Sequence, residues 1–265
     1  MSDTPIDVFI DLPSFPGPVQ AGRLWSHFRK GRESASFEYN KEWLANPHRF
    51  ALEPLLPLAD GTFHTNPGQS VFGAIGDSTP DRWGRILMRR AELARARTAN
   101  ESPHTLSELD YLLRVNDEAR QGALRFSQDG GQSFCAPPGS TPIPPLVNLS
   151  RLLHAADHFC RDDENAEDLR LLLAPGSSLG GARPKASVKD KKGNLCIAKF
   201  PRYDDEYNVV AWEAVALTLA SKAGLQVLRF ELEKITDKDV LIVWRFDRTR
   251  EQRRISYLSA MSMLG

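Results

Sequence analysis

One stretch limits the architecture of this chain more than any other. Residues 130–146, GGQSFCAPPGSTPIPPL, hold five prolines and three glycines. Proline has no N–H and a fixed φ, so the segment sustains neither a helix nor a central strand. The chain is therefore expected to fold as two parts, residues 1–129 and 147–265, joined by a linker over 130–146. At 265 residues it is long enough to give each part a core of its own.

Alternation and turn residues outline the first part. VFIDL (8–12) and SASFEY (34–39) read as strands, the second with Ala35, Phe37 and Tyr39 alternating with polar residues. Asp60-Gly61, ahead of Thr62 and Phe63, predicts a hairpin turn. A helix is predicted to begin at STPDRWGRILMRRAELARAR, with Thr79 as N-cap and Pro80 at the first helical position. Thr105-Leu-Ser-Glu108 predicts a capping box for a second helix that buries Leu109, Leu112 and Leu113. GALRFS (122–127) closes this small α+β module as a strand.

After the linker come helices at 147–159 and 166–174, then strands at KASVKD and NLCIAKF about a Lys192-Gly193 turn. A helix over about 207–223 carries Val210, Trp212, Val215 and Leu219 and stops at Gly224. FELEKI and VLIVWRF form a last hairpin about Thr236–Asp239. The order is loop, strand, strand, helix, strand, strand.

Composition excludes several classes. Thirty-four basic and 34 acidic residues cancel, so no global field points to nucleic acid or an anionic membrane. Three cysteines without metal-ligand spacing favour a reducing compartment over a disulfide framework. The N-terminus lacks a basic region and a long apolar run, and no apolar run approaches a membrane span. A cytoplasmic protein without membrane contact is expected. His154 and His158 share a helix face, but no third ligand accompanies them and no metal site is assigned. The six arginines from Arg82 to Arg97 read as a solvated, ion-paired helix face or as a contact surface. Asp204-Asp205-Glu206 reads as a solvated turn, and the five tryptophans as core residues.

Chemistry concentrates in APGSSLGGARPKASV (174–188). Glycines let backbone N–H groups approach phosphate oxygens, and Lys185 adds charge. GSSLGG matches neither G-x-G-x-x-G nor the Walker A pattern, so by itself it is equally an ordinary loop. Lys199 stands in the apolar strand CIAKFP, where an unpaired ammonium is costly. Glu213 follows on the next helix. A strand lysine with a helix glutamate is the arrangement by which kinases hold ATP phosphates, and VLIVWRF then falls at the position of the adenine hinge.

Four features together are more specific: SSLGGARPKASV (177–188), CIAKFP (196–201), EAVALTLASKAGL (213–225) and WRFDR (244–248). With these the chain resembles the HipA-type serine/threonine kinase toxins of bacterial type II toxin–antitoxin systems. SASFEYNKEWL, FGAIGDSTPDRWGR and DYLLRVNDEARQGALRF resemble that family's N-terminal subdomain. The resemblance implies an α+β fold, a kinase-like N-lobe preceded by the small subdomain. It implies ATP contacts at Gly180, Gly181, Ala182, Arg183, Pro184 and Lys185, with Lys199 on the phosphates and Glu213 as its partner. Trp244, Arg245 and Phe246 would form the hinge; Trp244 stands where another member has an acidic residue, so backbone contacts are expected there. Ser178, with Ser177 as the alternate, matches the serine whose autophosphorylation inactivates the kinase. A phosphate beside an ATP site would itself oppose ATP binding.

The resemblance further implies a protein substrate (aminoacyl-tRNA synthetases are among the family's targets), a helix-turn-helix antitoxin of the HipB type, and DNA contact only through that antitoxin. One departure stands out. After Asp247 the chain holds no aspartate, histidine or asparagine and a single glutamate, Glu251. The family's catalytic loop and metal-binding aspartate, from its C-lobe, are thus not matched, and no catalytic residue is assigned. Mg²⁺ ligands are expected from that C-lobe, most of which is absent here. A longer parent protein, a truncated gene and a separate polypeptide all accommodate this. A non-catalytic ATP- or partner-binding module is the alternative function, and the apolar segment 256–264 is expected to be exposed.

Overall fold

The computed structural model describes residues 5–136, 142–176 and 181–264. In chain order they form β1 (Ile6–Ile10), β2 (Val19–Arg29), β3 (Arg32–Tyr39), α1 (Lys41–Ala45), β4 (Thr62–His64), α2 (Gly73–Gly76) and α3 (Arg82–Ala99). Next come α4 (Glu108–Leu113), β5 (Leu124–Ser127), a 3-10 turn at Leu146–Asn148, α5 (Leu149–Cys160) and α6 (Ala166–Gly176). Then β6 (Lys185–Lys189), β7 (Leu195–Lys199), α7 (Val209–Lys222), β8 (Phe230–Ile235), β9 (Lys238–Trp244) and α8 (Ala260–Leu264) follow. Helices combined with two antiparallel sheets give the expected α+β class.

Two compact units divide the chain, and neither is continuous in sequence. One comprises Met1–Thr79, Thr105–Pro138 and Arg253–Gly265; the other comprises Pro80–His104 and Gly139–Gln252. The chain passes between them inside the proline-rich segment, but α3, which precedes that segment, belongs with the second unit. The last residues belong with the first.

The first unit is built on a sheet of order β4-β3-β2-β1-β5. All five residues of β1 are buried between β2 and β5. Val8, Ile10, Leu24, Phe37, Trp43, Phe72, Ile75, Leu112 and Phe126 join in its core. Each such fully buried side chain contributes about 1.5–3 kcal/mol. β2 escapes the alternation rule because of a bulge. Val8 faces Gly22 and Phe9 faces Gln20, leaving Ala21 as the extra residue and placing Ala21 and Gly22 in the interior in succession. A Cβ on Gly22 would stand 2.2 Å from the Glu38 carbonyl oxygen and 2.5 Å from Phe37 Cζ.

Several local expectations shift. Asp60-Gly61 leads into β4, but β4 pairs with β3, so no hairpin forms about it. The capping box lies two residues later than predicted: Ser107 caps α4 reciprocally with Asp110. Likewise Asp81 precedes α3, and the Thr79 hydroxyl instead donates to the Gly76 carbonyl. Segment 253–264 is anchored by Arg254, whose guanidinium meets the Asp117 carboxylate at 3.1 Å and the carbonyls of Asp117, Arg120 and Gly122. Leu258 joins the core, whereas Met261, Met263 and Leu264 are exposed as expected.

The second unit has a sheet of order β6-β7-β9-β8. β9 is buried on both faces, which explains its unbroken apolar run. Val240 and Ile242 meet Trp83 and Leu87 of α3, α5 and α6 in one cluster. Leu241 and Val243 meet Val210 and Ala214 of α7 in another. Trp212 breaks the expectation of core tryptophans: it is 61% exposed, on the far side of α7 with Val215 and Leu219. Of the six arginines of α3, Arg90 is ion-paired with Asp162 and Glu164 and Arg95 with Glu92 and Glu101. No helix among the described residues is long and apolar enough to cross a membrane.

Gly22→Ala is expected to destabilise the chain by about 2–3 kcal/mol in urea unfolding, because neither the Glu38 carbonyl nor the Phe37 ring has room to move. Gly17→Ala, with nothing within 4 Å of its added Cβ, should stay within about 0.5 kcal/mol of the parent.

Candidate functional site

The second unit gathers the chemistry-bearing residues on one end of the β6–β7 hairpin. Antiparallel pairing sets Lys185 directly opposite Lys199. Gly181, Ala182, Arg183, Lys185, Lys199 and Glu213 line a cleft of about 190 Å³ together with Phe200, Val209 and Val210. Gly181 adopts φ +88°, a left-handed conformation that glycine enters without strain. A Cβ there would stand 2.8 Å from the Lys185 Nζ. The bare backbone thus lets an ammonium group approach the loop.

Glu213 is placed by the register of α7. Val210, Ala214 and Leu217 turn one stripe of this helix onto β9, which carries Glu213 to the neighbouring strand β7. Its carboxylate pairs with the Lys199 ammonium. Asn208 starts the helix by accepting the Ala211 N–H at 3.0 Å. The lysine–glutamate pair expected from sequence is therefore formed.

Arg183 is held by Asp205, which also accepts the Arg202 N–H at 2.8 Å. Asp205 thus does more than the solvated turn assigned to it. The acidic loop fixes a cation at the mouth of the cleft. Arg183 and Arg202 hold the Asp205 carboxyl below the usual carboxylate range, against the effect of its partial burial.

Lys185 is only 4% exposed. Burial pushes its pKa down to about 8, with nearby Lys199 and Arg183 acting in the same direction and Asp81 and Glu213 opposing. Burial likewise raises Asp81 to about 6, against the pull of Lys185, the Trp83 N–H and Arg85. Neither Asp81 nor Asp205 carries a local sequence signal for this role.

Trp244, Arg245 and Phe246 do not line the cleft. Trp244 pairs with Cys196 at the other end of β7, about 10 Å from Lys199 at 3.3 Å per residue. Its indole donates to Asp190 at 3.1 Å and its ring stacks on Arg229 at 3.8 Å. The N–H groups of Trp244 and Arg245 donate to the carbonyls of Arg229 and Leu195. Arg245 and Arg248 clasp the fully buried Asp247, at 2.6 and 2.8 Å. Pro184 is buried at the start of β6, and its carbonyl accepts the Phe200 N–H at 3.0 Å. Gly180, Ser177 and Ser178 lie outside the described residues. His158 meets Asp168 at 3.0 Å and stacks near His154, and no group of three metal-ligating side chains occurs among the described residues.

Asp247→Ala would leave two buried guanidinium groups without their shared carboxylate. A loss of about 3–5 kcal/mol is expected in denaturant unfolding.

Comparison with known proteins adds the family. A model of the HipA-like C-terminal domain matches residues 177–265, and a model of the HipA N-terminal domain matches residues 17–127. A solved chain from the Shewanella oneidensis MR-1 toxin–antitoxin complex of HipA, HipB and operator DNA is 18% identical, with a TM-score of 0.48. That alignment covers 96% of this chain and 54% of the solved one, so the present chain spans about half the length of that relative. No curated protein sequence matches. Two domain models of one family, together spanning about three quarters of the sequence, match at successive positions. The chain belongs to the HipA family.

Proposed function

We propose that this chain is the nucleotide-binding part of a HipA-type serine/threonine kinase toxin from a toxin–antitoxin module. The observation that carries the reading is the Lys199–Glu213 pair beside the left-handed backbone at Gly181. Phosphates are polyanions. A cleft with two ammonium groups, a carboxylate-held guanidinium and a loop backbone free of Cβ suits them chemically. ATP, when bound, supplies the γ-phosphoryl group.

The chain's own residues take distinct parts in this proposal. Lys199, kept extended by Glu213, neutralises phosphate oxygens, and Lys185 and Arg183 add charge at the loop. Gly181, Ala182 and Pro184 shape the loop. The base lies along β7 toward Trp244, Arg245 and Phe246, a separation suited to a nucleotide lying along the strand. Phosphorylation at Ser178, or alternatively Ser177, would set a second anion against the same cations and oppose ATP.

The residues described hold nucleotide and take no part in the transfer step. A serine or threonine of a protein is the acceptor. The solved HipA relative is in complex with HipB and operator DNA, and a HipB-type helix-turn-helix antitoxin is the partner proposed for this protein, with DNA reached through it.

Calorimetric titration of the whole chain with MgATP tests the reading. The parent is expected to bind, and Lys199→Met to bind at least about tenfold more weakly, a loss of about 1.4 kcal/mol. Equal affinity in the folded variant, or no heat from either protein, overturns it.

A further inference from the structure

Lys185 raises an electrostatic problem that Lys199 does not. The two lysines are directly paired across β6 and β7, and like charges at such a pair repel. Lys199 is answered by Glu213 on the next helix. Lys185, more deeply buried, is answered by a residue about a hundred positions earlier. Lys185 Nζ lies 2.8 Å and Asp81 Oδ2 3.9 Å from the point a Gly181 Cβ would occupy. One carboxylate oxygen and the ammonium therefore share the space over Gly181. The other oxygen, Oδ1, is buried and accepts no hydrogen bond, and the side chain makes no capping hydrogen bond to α3.

Helix α3 is fixed to this loop at both ends of the 181–185 stretch. The Trp83 indole N–H donates to the Lys185 carbonyl at 2.9 Å, and the Trp83 backbone N–H donates to the Gly181 carbonyl at 3.3 Å. The indole is itself locked edge-on against Phe159 at 5.1 Å. Trp83 thus delivers Asp81, two residues before it, to a set position.

We propose that Asp81 is a positioning residue of the nucleotide site: it is the counter-charge that keeps Lys185 protonated and aimed at the Gly181 loop, and α3 is the helix that carries it there. Its consequence for binding rests on the nucleotide reading above. Among the described residues, the charged neighbours that act most on this pair belong to the same unit. Lys199, Glu213 and Arg183 act on Lys185, and Arg85 acts with Lys185 on Asp81.

The sign follows from those neighbours. With Asp81 present, burial already brings Lys185 down to about 8. Asp81→Asn removes a group that raises it, while Lys199 and Arg183 continue to lower it. The ammonium is then lost at lower pH, within the physiological range, and with it the attraction for phosphate. A purely structural Asp81 would not move this titration.

The test uses the full chain labelled with ¹³C-lysine. The Cε resonance of Lys185, identified by its loss in Lys185→Met, is titrated in the parent and in Asp81→Asn. The midpoint is expected near 8 in the parent and about one pH unit lower in the variant, with Asp81→Glu returning it toward the parent. A midpoint unmoved by Asp81→Asn, in a variant whose spectrum is otherwise native, overturns the proposal. MgATP affinity measured across the same pH range should weaken in Asp81→Asn from a lower pH than in the parent, and parallel pH profiles also overturn it. Nucleotide binding by none of the proteins sinks the nucleotide reading instead, while the resonance still decides the Asp81–Lys185 pairing.

Discussion

Two lysines paired across adjacent strands set the terms for the second unit. The β6–β7 register puts Lys185 opposite Lys199, and an ammonium withdrawn from water without a partner is costly. The hairpin therefore needs carboxylates from elements packed around it. Glu213 on α7 meets Lys199, and Asp81 ahead of α3 shares with Lys185 the space over Gly181. The helices that bury the two faces of β9 are the same helices that bring these charges. Packing and site construction are one arrangement here. Apolar stripes determine where α3 and α7 lie, and that placement determines which carboxylates reach the hairpin.

Neither Lys185 nor Asp81 sits at its ordinary protonation balance. Lys185 is held down near 8 and Asp81 up near 6, both by burial. Burial costs the charged lysine most below its folded value, and this cost fades as pH rises from about 8 toward the free value. For Asp81 the cost is present above about 6 and fades as pH falls toward the free carboxyl value. Near neutrality both costs coexist, partly offset by mutual attraction. A phosphate placed over Gly181 would relieve the lysine's side of that imbalance.

Buried charge clasped by arginines recurs away from the cleft. Asp247 lies between Arg245 and Arg248 at the end of β9, and Asp117 lies between Arg125 and Arg254 in the first unit. Such groups add little net stability over apolar packing, yet removing one member is expensive. They tie chain segments distant in sequence: Arg254 joins the last residues to the loop at 117–122. The RFDR tetrad is a structural clasp in this chain, consistent with Trp244 and Arg245 spending their N–H groups on the sheet.

Sequence alone determined what depends on neighbours a few residues apart. Alternation marked β3, apolar runs marked β7 and β9, and the Pro/Gly segment marked the passage between units. The Lys199–Glu213 pair was legible because strand, turn and helix follow one another directly. Cap positions slipped by two residues at α3 and α4, since Thr79 and Thr105 compete locally with Asp81 and Ser107. The bulge at Ala21 hid β2 by breaking its period. Only the tertiary structure decided that α3 joins the second unit, that Trp212 faces outward, and that Asp81 and Asp205 are the partners of Lys185 and Arg183. The reason is physical. A buried charge chooses its counter-ion by distance through space, and a carboxylate brought in by a helix from the far side of a linker leaves no mark in the residues beside it.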